Sequence, residues 1–261
     1  MRKDGFIELD DYDYRKVSYY YVININNNKY YFKKSKSIRT VYNELIAEEL
    51  AKDYGIENVK YDLASLDGFI GVISEDFIKD RSFIYIGSLL AKFHKNEFIP
   101  QYNNLKDLQE CIMKKYGDKS LFDSILDMFI FDMLIGNVDR HTDNYGLFVD
   151  NNISLATIFD NEYMLDPRSV YDGTYSIGID RDDYYKKDDI TFKALGEYDL
   201  YDRLVNKIEI INESNMKRVL DRVESKINSK IDSDIKKEIL SRMSDNNNRI
   251  KKNIKLYSLG V

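Results

Sequence analysis

The stretch GNVDRHTDNYGLFV, residues 136–149, packs Asp139, Arg140, His141, Asp143 and Asn144 into one short loop between an apolar segment and an apolar strand. A loop held at both ends by buried elements is fixed in place, so its polar side chains are candidates for chemistry. Asp160 joins them if YGLFV (145–149) and ISLATIFD (153–160) pair across the turn DNN. With Val149 opposite Ile153, Tyr145 falls opposite Thr157 and Asn144 opposite Ile158, and Asp160 returns to the loop. Asp and Asn oxygens are hard ligands suited to Mg2+, which takes one or two carboxylates together with substrate phosphates and waters. A carboxylate five residues before such an Asn, followed by a distal Asp, is the layout of phosphoryl transfer. Asp139 then orients or deprotonates an acceptor hydroxyl, while Asn144 and Asp160 hold the metal on a nucleotide.

Such a site also needs a cation for the phosphates. Lys33 and Lys34 close the strand KYYFKK (29–34), and Glu44 follows about ten residues later on a helix. A strand lysine paired with a helix glutamate is the arrangement of protein-kinase-like folds. Alternation turns one of the two lysines toward the cleft, and Lys33 is the choice, with Glu48 competing with Glu44 as partner because the two share a helix face. The segment DYDYRKVS supplies Arg15, Lys16 and Ser18 as phosphate contacts in place of a glycine-rich loop. Glu75, at the end of the amino-terminal part, completes the nucleotide-binding candidates.

LIGNVDRHTDNYGLFV followed by LATIFDN resembles the HipA-like serine/threonine kinases, whose catalytic segment reads Asp-x-His-x-x-Asn, then a hairpin, then a Tyr/Phe-Asp pair that binds metal. YYFKK and NELIAEELAKDYGI look like that family's lysine strand and Glu-bearing helix, and the resemblance spans roughly residues 14–165. It implies a bilobal protein-kinase-like fold, ATP and Mg2+ as cofactors, Asp139 as catalytic base, Asn144 and Asp160 as metal ligands, Lys33 as phosphate lysine, Glu44 as its partner, and a structural His141. Relatives often act as the toxin of a toxin and antitoxin pair, so an antitoxin-like partner is implied, and some relatives target aminoacyl-tRNA synthetases. The chain departs from the family pattern at Asp143, where Lys is usual. That residue makes DRHTDN look like the loop of phosphoinositide kinases, although their Asp-Phe-Gly is replaced here by Asp160-Asn161-Glu162.

Bland readings stand beside these. Asp and Asn cap local backbone in many loops, Lys33 to Arg39 reads alone as a solvated basic turn, and His94 near a helix end reads as a surface or capping residue. The run YYY (19–21) reads as sheet packing.

The elements that must position the candidates follow from periodicity. SYYYVINI and KYYFKK flank an Asn cluster and predict a hairpin over 18–34. Residues 40–54 predict a helix closed by Gly55, and VKYDLASL and GFIGVIS predict strands separated by Asp67 and Gly68. FIYIGSLLAKFHK (83–95) predicts a helix. SLFDSILDMFIFDMLIG (120–136) predicts a buried helix, with apolar residues at 122, 125, 126, 129, 130, 133 and 134. From Glu213 to about Leu256 the pattern is helical with a break near SDNNN. The fold class is α+β: a small β-rich lobe, residues 1–76, before a mainly helical lobe, residues 77–261, that carries the second hairpin.

Composition bounds the rest. A chain of 261 residues can bury a large core. The balance of 39 Lys and Arg against 45 Asp and Glu argues against a nucleic-acid footprint. One cysteine and two histidines exclude an internal disulfide and a Cys/His zinc site, and two histidines are too few for a dinuclear phosphoesterase. No apolar run of about 18 residues exists to span a bilayer, and a cytoplasmic compartment is expected. The leading function is a kinase acting on a serine or threonine of a protein, the chain itself included. A small-molecule or lipid kinase and a catalytically silent nucleotide-binding module are the alternatives.

Overall fold

The computed structural model describes residues 2–3, 6–94, 105–137, 139–165 and 200–258. A seven-stranded sheet is built from β1 (Arg2–Lys3), β2 (Phe6–Glu8), β3 (Tyr14–Val17), β4 (Tyr20–Ile25), β5 (Asn28–Lys34), β6 (Asp62–Leu66) and β7 (Phe69–Glu75), in the order β1-β2-β6-β7-β5-β4-β3. Within this sheet β2 and β6 pair in parallel and the other neighbours antiparallel. Asn26 and Asn27 turn β4 into β5 with φ of 50° and 65°, a conformation Asn tolerates through its short polar side chain. Asp67 and Gly68 do the same between β6 and β7, at φ of 50° and 75°. The helix α1 (Ile38–Tyr54) crosses between β5 and β6, opened by a Ser37–Thr40 capping box and closed by Gly55 in the left-handed conformation. The strand expected from residue 18 begins at Tyr20, because Ser18 and Tyr19 form the β3–β4 turn.

A three-stranded sheet and a set of helices complete the described residues. Strands β8 (Phe83–Tyr85), β9 (Gly146–Val149) and β10 (Ile153–Leu155) lie in the order β10-β9-β8. The helices are α2 (Ile86–Phe93), α3 (Leu105–Tyr116), α4 (Lys119–Ile135), α5 (Tyr201–Lys207), α6 (Glu213–Ile227) and α7 (Ser233–Ser258), with a 3-10 turn at Ile208–Ile211. The apolar residues expected to bury α4 do so: Phe122, Ile125, Leu126, Phe129, Ile130, Met133 and Leu134 are at most 2% exposed. One core joins α4 to α1, α6 and α7, and a smaller one, around Phe32, Ile23 and Leu66, lies on the other face of the large sheet.

Three elements differ from the sequence expectation. Residues 83–85 are strand rather than helix, because Phe83 and Ile84 pair with Phe148 and Leu147 of β9. Lys95, the end of that expected helix, lies outside the described residues. The carboxyl-terminal break falls at Asn228, left-handed at φ 52°, and α7 runs straight through SDNNN. Asn246 is buried there and donates to the Met133 and Leu134 carbonyls at 3.3 and 2.7 Å, so this Asn satisfies the end of α4 instead of ending its own helix. Helix α3 carried a clear apolar stripe, Leu105, Leu108, Cys111 and Ile112, that the sequence reading passed over.

Candidate active site

Lys33 sits on the cleft face of β5. Its ammonium meets Glu44 Oε1 at 3.3 Å, Glu162 Oε2 at 3.2 Å and the Asp160 carboxylate. Lys34 points the other way and lies over the Phe69 ring, as strand alternation requires. Glu44 is 1% exposed, and its second oxygen accepts the Asn161 N–H at 2.8 Å. Glu48, the competing partner, is instead held by the Tyr61 N–H at 2.9 Å and by Lys226 at 2.6 Å. Burial pushes the Glu44 carboxyl up to about 7 against the pull of Lys33, and the Asp160 and Glu162 charges add to the rise. Burial alone would lower Lys33, but Glu44, Asp160 and Glu162 outweigh it and hold the ammonium well above its ordinary range. One lysine therefore faces three carboxylates, a surplus of negative charge around its ammonium.

The loop after α4 is built on Arg140, a side chain whose role the sequence reading missed. Its Nε and Nη2 donate to the two oxygens of Asp132 at 2.9 and 3.0 Å. Nη1 donates to the Asn144 carbonyl at 2.8 Å and to the Phe159 carbonyl, and Nη2 reaches Asn161 Oδ1 at 2.6 Å. One buried guanidinium thus ties the loop holding Asp139 and Asn144 to the segment holding Asp160. The sequence did carry a signal: Asp132 stands alone in the apolar run FIFDMLI, and a buried carboxylate needs a cation.

Within the loop, Asn144 Nδ2 donates to the Asp139 carbonyl at 2.7 Å, which leaves Oδ1 as the side chain's acceptor atom. Asn137 Oδ1 accepts the Asp139 N–H at 3.3 Å, and His141 Nδ1 accepts the Asp143 N–H at 3.3 Å, a local bracing contact. Asp143, unusual for the resembled family, lies at the first turn of α2, whose Gly87 N–H donates to the Thr142 carbonyl at 3.0 Å. A Cβ on Gly87 would come within 2.8 Å of Asp143 Oδ1, so the carboxylate sits against the positive end of that helix. Asp160 is left-handed at φ 62°, a conformation open to Asp.

The hairpin register is the expected one, Val149 opposite Ile153, but the ladder stops at Leu147–Leu155. Ile158 is not opposite Asn144; it forms a parallel bridge with Asn58, and Ile158 N–H and C=O bond to Glu57 and Val59. The other candidates lie apart. Pairing of Arg15 with Val22 puts it on the Lys33 face of the sheet, whereas Lys16, paired with Tyr21, is on the opposite face, which removes it from the cleft. Both are exposed, and Ser18 is in the exposed turn at φ 54°. Glu75 is exposed, pairs with Lys79 at 3.1 Å, and lines a cavity of about 460 Å³ behind the strand end that Lys33 does not reach. His94 is the carboxyl cap of α2.

A profile of HipA-like C-terminal domains matches residues 15–231, which covers both the Lys33 strand and the Asp139 loop. The chain belongs to this HipA-like family. Among solved structures, the HipA-like chain superposes on the proinflammatory kinase CtkA of Helicobacter pylori with a TM-score of 0.61 and 20% identity, over 97% of this chain and 99% of that one. It also superposes on HipA of Shewanella oneidensis MR-1, solved in a toxin–antitoxin complex with HipB and operator DNA. That match has a TM-score of 0.56 and 18% identity, over 88% of this chain and 62% of that one. The fold is thus the kinase-like one. No curated protein matches the chain in sequence. Among the described residues no helix is long and apolar enough to cross a membrane.

Proposed function

We propose that the chain is an ATP- and Mg2+-dependent kinase that phosphorylates a serine or threonine hydroxyl of a protein. The observation that carries this reading is the convergence of Lys33, Glu44 and Asp160, tied through Arg140 to the loop of Asp139 and Asn144. A lysine braced by a buried glutamate presents a fixed positive charge to nucleotide phosphates. Asp160 and Asn144 Oδ1 are the hard oxygen donors for Mg2+, which would neutralise phosphate charge as it shifts in transfer. Asp139 accepts the proton of the acceptor hydroxyl as its oxygen bonds to the γ-phosphorus and the bond to the bridging oxygen of the leaving diphosphate breaks. Lys33 then needs only to exchange the Asp160 and Glu162 carboxylates for phosphate oxygens.

The thermal midpoint of the purified protein with ATP, with and without Mg2+, tests this, because a ligand of the native state must raise it. A Mg2+-dependent rise that Asp160→Ala loses supports the site. No shift with any nucleotide overturns it. Radiolabel transfer to protein acceptors, inositol lipids and sugars then separates the protein-kinase reading from a small-molecule one. The HipA comparison extends the reading to an antitoxin-like partner, and co-purification with the product of an adjacent gene tests that.

A further inference from the structure

Glu44 can brace Lys33 only if α1 keeps its rotation and height, and what holds α1 lies outside the cleft. Further along α1 stand three more acids: Glu48 and Glu49, 2% and 5% exposed, and Asp53. Two cations of α6 meet them. Lys226 reaches Glu48 Oε2 at 2.6 Å, and Arg222 donates to Glu49 Oε2 at 2.9 Å, to the Glu49 carbonyl at 3.2 Å and to Asp53 Oδ2 at 2.8 Å. Asn215, also on α6, adds a bond to Asp53 at 2.9 Å, and Lys52 of α1 shares Glu48 and Glu49. Toward the other end of α1, Asn43 Nδ2 donates to the Glu162 and Met164 carbonyls at 2.6 and 2.9 Å, just beyond Asp160.

We infer that Arg222 and Lys226 are positioning residues for the nucleotide site: α6 clamps α1 so that Glu44 stays on Lys33. This rests on the kinase reading given above. Leu45, Ile46, Leu50 and Ala51 bury α1 in the core, and that hydrophobic driving force is itself non-directional. Charge-assisted bonds to buried carboxylates are directional, and a guanidinium spanning Glu49 and Asp53, one turn apart, fixes both rotation and height. Since α1 turns as a rigid unit, the clamp on Glu48, Glu49 and Asp53 acts on Glu44 from about one to two and a half turns away.

The test compares wild type with Arg222→Ala/Lys226→Ala by hydrogen exchange of the α1 amides and by calorimetric affinity for ATP with Mg2+. Lys217→Ala, which removes an exposed pair with Glu213 on the same helix, is the control. The double variant is expected to exchange faster across α1 and to bind nucleotide roughly tenfold more weakly, with Arg222→Lys recovering part of the loss and the control unchanged. Unchanged affinity overturns the proposal, whether or not α1 loosens. A wild type that binds no nucleotide, with α1 loosened in the double variant, overturns the kinase reading and leaves the clamp standing. Should the double variant unfold, Lys226→Met alone carries the same comparison.

Discussion

Arg140 and Asp132 face each other as a two-bond ion pair, 2.9 and 3.0 Å, with side chains 1% and 3% exposed. Such a pair gains little net stability from being charged, but removing one partner strands the other charge in the core, at about 3–5 kcal/mol. Asp132→Asn is therefore expected to lower the unfolding free energy in urea by about that amount. A loss under about 1 kcal/mol would show that the guanidinium finds compensation among the Asn144, Phe159 and Asn161 oxygens.

Asp139 stands at the loop's working end while its own backbone supports Asn144. As the proposed proton acceptor it acts in the transfer step, so Asp139→Ala is expected to lower phosphoryl transfer by about 10²–10⁴-fold and to leave nucleotide affinity nearly intact. Single-turnover transfer alongside calorimetric binding checks both halves. Retained transfer sinks the role of base, and lost binding would move Asp139 into the nucleotide site.

How much of this was legible depended on whether the signal was local. The β4–β5 hairpin, α1 with its Gly55 cap, and α4 were readable because turn residues and apolar spacing act within a few residues. Alternation made one of Lys33 and Lys34 face the cleft, but which of them does so is decided by the packing of Lys34 on Phe69 and of Lys33 on Glu44. Strand β8 was misread as helix because FIYIG is apolar in either periodicity, and only pairing with β9, more than sixty residues away, decides it. Glu162 and the α6 contacts were missed because their partners are distant in sequence and a charged residue read in isolation resembles surface, whereas Arg140 had its signal close by, in Asp132 eight residues before it.

The raised Glu44 carboxyl makes stability depend on pH in a stated direction. Its folded value, about 7, lies above the ordinary 4.5, so its favourable contribution is present in full below pH 4.5 and is lost as pH rises through 7. Lys33 is raised as well, from an already basic value, so its contribution is lost only in strongly basic solution and does not mask this window. Denaturant unfolding of wild type and Glu44→Gln between pH 4.5 and 8 is expected to show wild type losing stability relative to the variant as pH increases. Parallel curves would mean that Lys33 keeps Glu44 ionised throughout.

Gly71 of β7 gives a way to move Lys33 without touching it. Gly71 pairs with Lys34 of β5, and a Cβ there would lie 2.2 Å from the Lys33 carbonyl and 2.8 Å from the Phe32 ring. The first obstacle is backbone in mid-sheet, which cannot swing aside as a side-chain tip can, so β5 itself must shift. Gly71→Ala is expected to cost about 1–3 kcal/mol in overpacking and to pull Lys33 off register with Glu44, so that nucleotide affinity falls with stability. Gly68→Ala is the contrast: nothing lies within 4 Å of its Cβ, and only the strain of φ 75° is added. If Gly71→Ala and Gly68→Ala weaken nucleotide binding equally after matching for stability, the strand shift does not reach Lys33; a loss confined to Gly71→Ala places the lysine's geometry under the control of the β5–β7 pairing.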